Sequence, residues 1–406
     1  MTPSKKHFLC AFIAFCITFS SMNLLLAQEA EKPEGYIFTN TKEIKYTPVK
    51  NQNRSGTCWS FSGIGFLESE LIRKGKGEMD LSDMWIVYHT YKDKADMYVR
   101  MHGNWNFGAG GAFHDVFAMI DKYGLVPAAA YKGLEYGEEI HVHGELDGIL
   151  KAYLDVIIKN PNRKLSTAWK KGYEAILDTY MGEPLEKFTY NGKEYTPKSY
   201  AASLGLNMND YISITSFTHH PFYTQFAIEI PDNWMMKTSY NVPLDELLRT
   251  VNHAIDNGFS VAWAADVSDK GFNWRKGLAV MPEIDVESMD GSDRARWENL
   301  SQGEKDEELY KFEKPGKERI ITQEIRQKAF DNYTTTDDHG MVLLGKATDQ
   351  NNTPYFLVKN SWGTDSRNPY KGFLYASEPF VAMQTINITV HKDAIPADIK
   401  KKLGIN

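Results

Sequence analysis

Outside its first 27 residues this 406-residue sequence has one cysteine, and its surroundings suit nucleophilic chemistry. Cys58 follows a polar, glycine-bearing stretch and precedes a run in which apolar residues recur at helical spacing. The sequence therefore predicts that Cys58 lies in the first turn of a helix. The unpaired N–H groups and the dipole of a helix start favour the thiolate, which is the attacking form of cysteine. We expect Cys58 to be a nucleophile with a lowered pKa.

A cysteine nucleophile needs a base, and His339 stands out among the eleven histidines. It opens a predicted strand, and Asn360 follows the next predicted strand. Two adjacent strands would bring these side chains together, so that the amide orients the imidazole and leaves its other nitrogen for the sulfur. Trp362 would cover the pair from water. Gln52 would supply a side-chain N–H to an oxyanion hole, together with the backbone N–H of Cys58.

The elements that must position these residues fall into two halves. Helical patterns dominate as far as about residue 125, whereas strand patterns dominate after residue 338. Residues 135–335 are harder to assign: helical patterns come first, strand patterns such as 227–230 follow, and 282–328 is rich in charge. This order predicts an α+β fold in which a helical half and a β-rich half are segregated.

The chain resembles the papain-like cysteine peptidases (peptidase family C1) in motifs that occur in the order typical of that family. The matching stretches are Gln52-x5-Cys58-Trp59-Ser60-Phe61, Asp338-His339-Gly340 and Asn360-Ser361-Trp362-Gly363. The resemblance implies a papain-like fold with the catalytic cleft between its halves. It also implies hydrolysis of peptide bonds by a thiolate–imidazolium pair, with no cofactor.

The spacing of the motifs departs from that of compact papain-like enzymes. The cysteine and histidine are 339 − 58 = 281 residues apart, against about 130–150 in a compact member. Insertions at about 135–335 would account for the excess, and they resemble those of the bleomycin hydrolase and aminopeptidase C branch. Gly110 and Gly111 match a Gly-Gly stretch of that branch, which implies that the substrate backbone lies close to them. Closed oligomers occur in the branch, so a homo-oligomer is possible here.

The end of the chain bears on where the enzyme cuts. In the resembled branch a C-terminal arm lies in the cleft, and its carboxylate pairs with the α-amine of the substrate, which makes the enzyme an aminopeptidase. Residues 388–403 resemble the segment that leads into this arm, but the sequence stops short of the usual end, and Lys400, Lys401 and Lys402 would repel an amine. We expect an aminopeptidase, with an open-cleft endopeptidase as the alternative.

Two further alternatives concern the chemistry itself. One is a catalytically idle binding protein on the same fold, which the presence of Gln52, Cys58, His339 and Asn360 disfavours. The other is a different acyl transfer at the same thiol, which would use the same residues.

Residues 1–27 have the layout of a secretory signal peptide, with two lysines, an apolar run from 8 to 19 and small residues after it. A membrane anchor is the less favoured alternative, because a spanning helix needs about 20 apolar residues. We therefore expect a periplasmic or extracellular protein whose peptidase domain spans 28–406 and has no membrane association after cleavage. Cys58 would then be its only cysteine, which excludes a disulfide.

Charge and histidine placement limit the other partners. The formal net charge is −7 and no basic stretch dominates, which argues against nucleic acid and leaves peptides as the expected substrates. Two histidine pairs, His219 with His220 and His141 with His143, lack cysteine or carboxylate partners at ligand spacing in the sequence. We expect these to be surface histidines and expect no metal.

Overall fold

The computed structural model describes residues 35–284 and 286–405, so the predicted signal peptide at 1–27 lies outside the described residues. Among the helices that are described, none combines the length and the apolar character that crossing a membrane requires.

The first half of the described chain is helical, as the sequence predicts. Its central helix begins at Cys58, and every residue from 59 to 71 is buried. The next helix begins where the Ser82 hydroxyl accepts a hydrogen bond from the backbone N–H of Trp85, a common way to satisfy a helix start. The helices of this half are α1 (Cys58–Arg73), α2 (Asp83–Arg100), α3 (Phe113–Tyr123), α4 (Gly144–Ile158), α5 (Ala168–Met181) and α6 (Pro197–Leu204).

The second half is built around one large sheet with helices packed against it. The strands in chain order are β1 (Thr39–Glu43), β2 (Phe188–Tyr190), β3 (Lys193–Tyr195), β4 (Tyr211–Thr215), β5 (Gln225–Ala227), β6 (Thr238–Asn241), β7 (Val261–Ala265), β8 (Phe272–Asn273), β9 (Leu278–Ala279), β10 (His339–Thr348), β11 (Pro354–Lys359), β12 (Phe373–Ser377) and β13 (Thr385–His391). The remaining helices are α7 (Leu244–Asp256), α8 (Gly291–Asn299), α9 (Gln302–Leu309), α10 (Gln323–Asp331), α11 (Glu378–Gln384) and α12 (Ala397–Leu403).

The large sheet has the strand order β5-β6-β4-β13-β7-β10-β11-β12-β9-β8, with β1 paired to β10, while β2 and β3 form a separate hairpin. Most pairs are antiparallel. A helical half packed on a mainly antiparallel sheet is the α+β plan that the sequence predicts, so the fold class is confirmed.

The strand β10 lies at the centre of this sheet. It pairs with β7, where His339 lies opposite Ala265, and it pairs with β11 on its other side. Between Leu343 and Gly345 the β10–β11 register shifts by one residue, which is a β-bulge. A side chain at position 345 would lie 2.3 Å from a backbone oxygen of β1, so only glycine fits there.

The segment 135–335 contributes both to the sheet and to the periphery. Strands β4 to β7 lie within the large sheet, whereas α4 and α5 pack against α2. The charge-rich stretch forms α8 and α9, and neither helix has a buried side chain among the described residues. The strand predicted at 227–230 is wrong, because β5 ends at Ala227 and the backbone turns there, with the N–H of Ile230 bonded to the carbonyl of Ile228. The boundaries of the insertions stay a prediction.

The last helix of the chain packs on α7. Ile399 and Leu403 of α12 are buried. Asp398 forms an ion pair with Arg249, and Lys402 forms one with Glu246. Residues 397–403 are therefore anchored by two ion pairs to α7 and by two buried apolar side chains.

Candidate active site

The predicted position of Cys58 is confirmed, because it is the first residue of α1. Cys58 forms no disulfide, and the residue as a whole is half-buried although its sulfur lies deep in the cavity. The residue before the helix, Thr57, makes no side-chain cap, so the N–H groups of the first turn keep their polarity toward the sulfur. The next residue, Trp59, is buried and its indole N–H donates to the carbonyl of Ala109 at 2.9 Å, which fixes the helix start.

His339 and Asn360 meet as the two-strand argument predicts. The imidazole Nε2 lies 2.7 Å from the side-chain oxygen of Asn360. The backbone N–H of Ser361 donates to the same oxygen at 2.7 Å, which identifies it as the acceptor end of the amide. Nε2 therefore carries the proton, and Nδ1 is left as the basic nitrogen. Both side chains are buried.

Trp362 covers this pair, as expected. Its ring centroid is 4.7 Å from that of the His339 imidazole, with a tilt of 34° between the planes. Trp274 and Phe272 pack edge-on against Trp362 from the other side. The histidine–asparagine hydrogen bond is thereby shielded from water, and exclusion of water strengthens such a bond.

The start of β10 is docked on the start of α1. The Ser62 hydroxyl donates to the carbonyl of Gly340 at 2.5 Å. A side chain at position 340 would lie 3.4 Å from the Cα of Trp59, so strand and helix approach closely at this point. Cys58 and His339 consequently line one cavity of about 480 Å³, counted out to its open mouth.

Burial dominates the protonation of the catalytic candidates. Burial, aided by nearby Asp337 and Asp232 and opposed by the N–H groups of Gly340 and Trp59, raises the pKa of the Cys58 thiol to about 12. Burial also lowers the pKa of His339 to about 4, although the bond to Asn360 acts in the opposite direction. The helix start alone therefore does not lower the pKa of this thiol while the imidazole is neutral, and the lowered pKa expected from the helix start and the His339 imidazolium together stays a prediction. A thiolate in this cavity requires the imidazolium beside it, because only a paired charge offsets the loss of hydration.

Gln52 lies against the residue that follows Asn360. Its backbone N–H donates to the carbonyl of Ser361 at 2.8 Å, and its side-chain oxygen accepts from the Ser361 hydroxyl at 2.5 Å. The amide nitrogen of Gln52 is thus the end left to donate, and it has no acceptor among the residues that the structure describes. Gln52 is buried but does not line the cavity of Cys58 and His339.

A buried charge cluster holds the loop that carries Gln52. Lys50 contacts Glu68 of α1 at 2.8 Å and Asp83 of α2 at 3.1 Å. The ammonium of Lys359 at the end of β11 donates to the carbonyl of Thr47 at 2.7 Å. These contacts tie the loop to both halves of the fold. Removing one partner of the cluster would leave a buried charge uncompensated, which is strongly destabilising.

A buried lysine holds one of the two predicted substrate-binding glycines, Gly110, together with the nearby Gly108. The ammonium of Lys94, on α2, donates to the carbonyls of Gly108 and Gly110. Gly111 lines the cavity, and a side chain there would lie 2.7 Å from Asp115 and 2.9 Å from Trp59. A side chain on Gly110 would lie 2.0 Å from the carboxylate of Asp232. Neither position can carry a Cβ without a shift of its neighbours.

The fold brings a carboxylate to one of the histidine pairs. Nε2 of His219 and Nε2 of His220 lie 3.0 and 2.7 Å from the two oxygens of Glu229, so the expectation that this pair lacks a carboxylate partner is wrong. The amide nitrogen of Gln327 donates to Nδ1 of His219, so Nε2 carries the proton and donates to Glu229. The ligand atoms of these three side chains lie within 4.8 Å of one another.

The second histidine pair also departs from expectation. His143 is completely buried, whereas a surface position was predicted for it. Burial, together with the neighbouring His141, lowers the pKa of His143 to about 4.

Sequence reasoning missed several residues of the site. Ser361 orients the amide of Gln52, and Lys94 binds the carbonyls of Gly108 and Gly110. Asp232 and Asp337 line the cavity. Ser361 lies within the Asn360–Gly363 motif and Asp337 directly precedes the Asp338–Gly340 motif, so their positions carry a local signal. Lys94 and Asp232 carry no local signal, because only the tertiary fold brings them to the cleft.

Comparison with known proteins identifies the family and the fold of this chain. The model of the Peptidase C1-like family matches residues 15–290 and 285–405. Aminopeptidase C of Lactococcus lactis subsp. lactis (strain IL1403) is 21% identical over 93% of this chain and 86% of its own length. Bleomycin hydrolase of Mus musculus is 22% identical over 94% of this chain and 88% of its own. The crystal structure of pepw from Lactobacillus rhamnosis HN001 superposes with a TM-score of 0.66 at 19% identity, covering 90% of this chain and 84% of that one.

Proposed function

Because the chain belongs to the Peptidase C1-like family, we propose that it hydrolyses peptide bonds with Cys58 as nucleophile and His339 as its base. The observation that carries the proposal is the cavity that both side chains line, with the imidazole oriented by Asn360 at 2.7 Å. A binding protein without catalytic activity would not need a buried histidine that Asn360 orients so that Nδ1 is left free.

In the first half of the reaction, the Cys58 sulfur attacks the carbonyl carbon of the scissile peptide bond. The thiol proton passes to Nδ1 of His339, and the carbonyl π electrons move to its oxygen. The side-chain N–H of Gln52 and the backbone N–H of Cys58 stabilise this oxyanion. Collapse of the intermediate breaks the C–N bond, and His339 protonates the leaving amine.

In the second half, water hydrolyses the thioester that Cys58 now carries. His339 accepts a proton from the water, whose oxygen attacks the acyl carbon. The imidazolium then returns that proton to sulfur as the acid product leaves, so that the enzyme regains its starting state. Trp362 keeps the hydrogen bond between His339 and Asn360 out of water through both halves.

Removal of residues from the free amino end of peptides is the favoured mode of cleavage. Relatives that match most of this chain bear the name aminopeptidase C. An open-cleft endopeptidase is the second candidate, and one observation favours it: of the described residues 397–405, none lines the cavity of Cys58 and His339.

Hydrolysis of one fluorogenic peptide with and without an N-terminal acetyl cap tests this choice. We expect faster cleavage of the uncapped peptide, and Cys58→Ala should cleave neither. Equal rates on both peptides would leave an endopeptidase, and wild-type rates in Cys58→Ala would remove the proposed chemistry altogether.

Export and assembly are also part of the proposal. We propose that residues 1–27 are a cleaved signal peptide, that the peptidase domain spans 28–406, and that the protein is periplasmic or extracellular. N-terminal sequencing of protein from its native host should return a start near Gln28. A homo-oligomer is proposed by analogy with the branch, and a monomer in light scattering at micromolar concentration would exclude it.

A further inference from the structure

Three carboxylates line the cavity beside Cys58. Asp337 makes no hydrogen bond or ion pair with any residue that the structure describes, although it stands two residues before His339. Asp232 accepts a single hydrogen bond, at 3.3 Å from the side chain of Asn106. By contrast, Asp338 accepts bonds from the backbone N–H of Ser268 and the hydroxyl of Thr336. Asp337 and Asp232 therefore have acceptor capacity left for a ligand.

The described cations nearby form no ion pair with these two carboxylates, although the charge of Lys94 lowers the pKa of Asp232 against the effect of burial. The ammonium of Lys94 donates its hydrogen bonds to the carbonyls of Gly108 and Gly110. Lys237 stands at the rim of the cavity and is exposed, and within residues 35–284 and 286–405 it forms no ion pair with either carboxylate. His114 also lines the cavity, but burial lowers its pKa to about 3, so it is neutral.

The side-chain amide of Asn387 is a second, independent group in the cavity that can accept a hydrogen bond from a ligand. Asn387 of β13 is only 7% exposed and lines the cavity. Its amide nitrogen donates to the hydroxyl of Ser213 at 2.8 Å, which leaves the amide oxygen as the end that faces the cavity. That oxygen has no donor among the described residues, so it can accept a hydrogen bond from a group that enters the cavity.

We propose that Asp337 and Asp232, together with the amide oxygen of Asn387, bind a positively charged group of the peptide substrate. The group is either the α-ammonium at the amino end or the side chain of lysine or arginine, since both bring several N–H donors to carboxylate and amide acceptors. The inference rests on the proposed hydrolysis at Cys58 and names the substrate class that this site selects. Burial and the neighbouring Asp232 raise the pKa of Asp337 to about 8, as expected for carboxylates that share a cavity without a cation.

Binding of short peptides to the Cys58→Ala protein tests the proposal without requiring turnover. Four probes suffice: Lys-Ala-Ala and norleucine-Ala-Ala, each with a free and with an acetylated amino end. We expect the acetylated norleucine peptide, which has no positive charge, to bind most weakly. The peptides that bind well identify whether the α-ammonium or the side chain supplies the charge.

Asp337→Asn and Asp232→Asn, each combined with Cys58→Ala, complete the test. Each should weaken binding of the preferred cationic peptide by about 10- to 100-fold, and leave the uncharged peptide within about twofold. Asp256→Asn removes the same charge from an exposed ion pair with Lys346, away from the cavity, and should change neither affinity.

The assignment would be overturned if all four peptides bound with equal affinity or if none bound. It would also be overturned if both aspartate variants kept the affinities of the Cys58→Ala protein. Failure of the proposed function is a separate result: a wild-type protein that cleaves no peptide contradicts the hydrolysis, while the binding comparison still decides whether the cavity selects a cation.

Discussion

At the scale of single residues, the thiol of Cys58 depends on the imidazole of His339 for its charge. Burial raises the pKa of Cys58 to about 12, and the dipole of α1 does not overcome that effect. We therefore expect His339→Ala to lose alkylation by iodoacetamide at pH 7, with reactivity returning only well above pH 9, because a lone thiol of this pKa is almost wholly protonated below it.

The measurement is the pH dependence of the alkylation rate at Cys58, followed by mass spectrometry. Wild-type protein should react near neutral pH, and Asn360→Ala should fall between the two, because its imidazole is present but unoriented. Equal rates in wild type and His339→Ala at pH 7 would contradict the ion pair.

Gln52 offers a second prediction at this scale. Gln52→Ala removes one donor from the oxyanion and should lower kcat by about 10²–10³. Ser361→Ala is the matched control, because it removes only the hydroxyl that orients the amide, and it should cost less than Gln52→Ala. Steady-state kinetics on one peptide compares the two, and full activity in Gln52→Ala would remove its assignment.

The motif residues were the most predictable part of the site. Cys58, His339 and Asn360 take the positions that the sequence predicts, because local patterns set the helix start and the strands on which they lie. The pKa of Cys58 could not be predicted, since it depends on how deeply the packed fold buries the sulfur. Asp232 and Asn387 could not be found either, because distant parts of the chain bring them to the cavity.

At the scale of elements, α2 carries a buried histidine that makes the fold sensitive to acid. His89 is stacked on Tyr123 at 4.0 Å, packs edge-on against Trp85, and neither ring nitrogen has a partner among the described residues. Burial, together with the charges of Lys92 and Lys122, lowers the pKa of His89 to about 3. The folded state thus keeps the ring neutral at pH values where the unfolded chain, with a pKa of about 6.5, binds a proton.

Below pH 6.5 the unfolded state therefore gains a proton that the folded state does not, and the free energy of unfolding falls as the pH falls. The loss is about 1.4 kcal/mol per pH unit between 6.5 and about 3. His89→Phe keeps the stacking without the titration, so its stability relative to wild type should rise by about 2–3 kcal/mol between pH 7 and 4.5. Urea unfolding at both pH values measures this, and parallel pH profiles of the two proteins would contradict it.

The elements were predicted unevenly, for physical reasons. Amphipathic helices such as α7 and long apolar strands such as β10 and β11 have patterns that the sequence displays directly. The short strands β8 and β9 have two residues each, too few for a period to appear. Strand β6 forms only because it pairs with β4 and β5, a contact that no local pattern encodes.

At the scale of the whole molecule, the position of residues 397–405 decides what their removal should do. Two apolar side chains of α12, Ile399 and Leu403, are buried, and each is worth about 1.5–3 kcal/mol. Deletion of 397–406 should therefore lower the free energy of unfolding by several kcal/mol and leave the preference between capped and uncapped peptides unchanged.

Denaturant unfolding and the paired peptide assay together check this deletion. Asp398→Ala is the control, because it removes only an exposed ion pair with Arg249 and should cost less than about 1 kcal/mol. A deletion that keeps its stability but cleaves capped and uncapped peptides equally would indicate that this segment works in the cleft.

The β10–β11 hairpin has a consequence for how sequences of this kind can diverge. His339 and Asn360 lie at the end of the hairpin that is farthest from its turn at 349–353, and the bulge before Gly345 lies between them and that turn. Lengthening or shortening the turn would leave the pair in place, so lineages can vary it freely. Losing the single extra residue of the bulge would slide one strand by a position and turn the histidine to the opposite face. Insertions and deletions should therefore be common at the turn at 349–353 in related sequences and rare between residues 339 and 345.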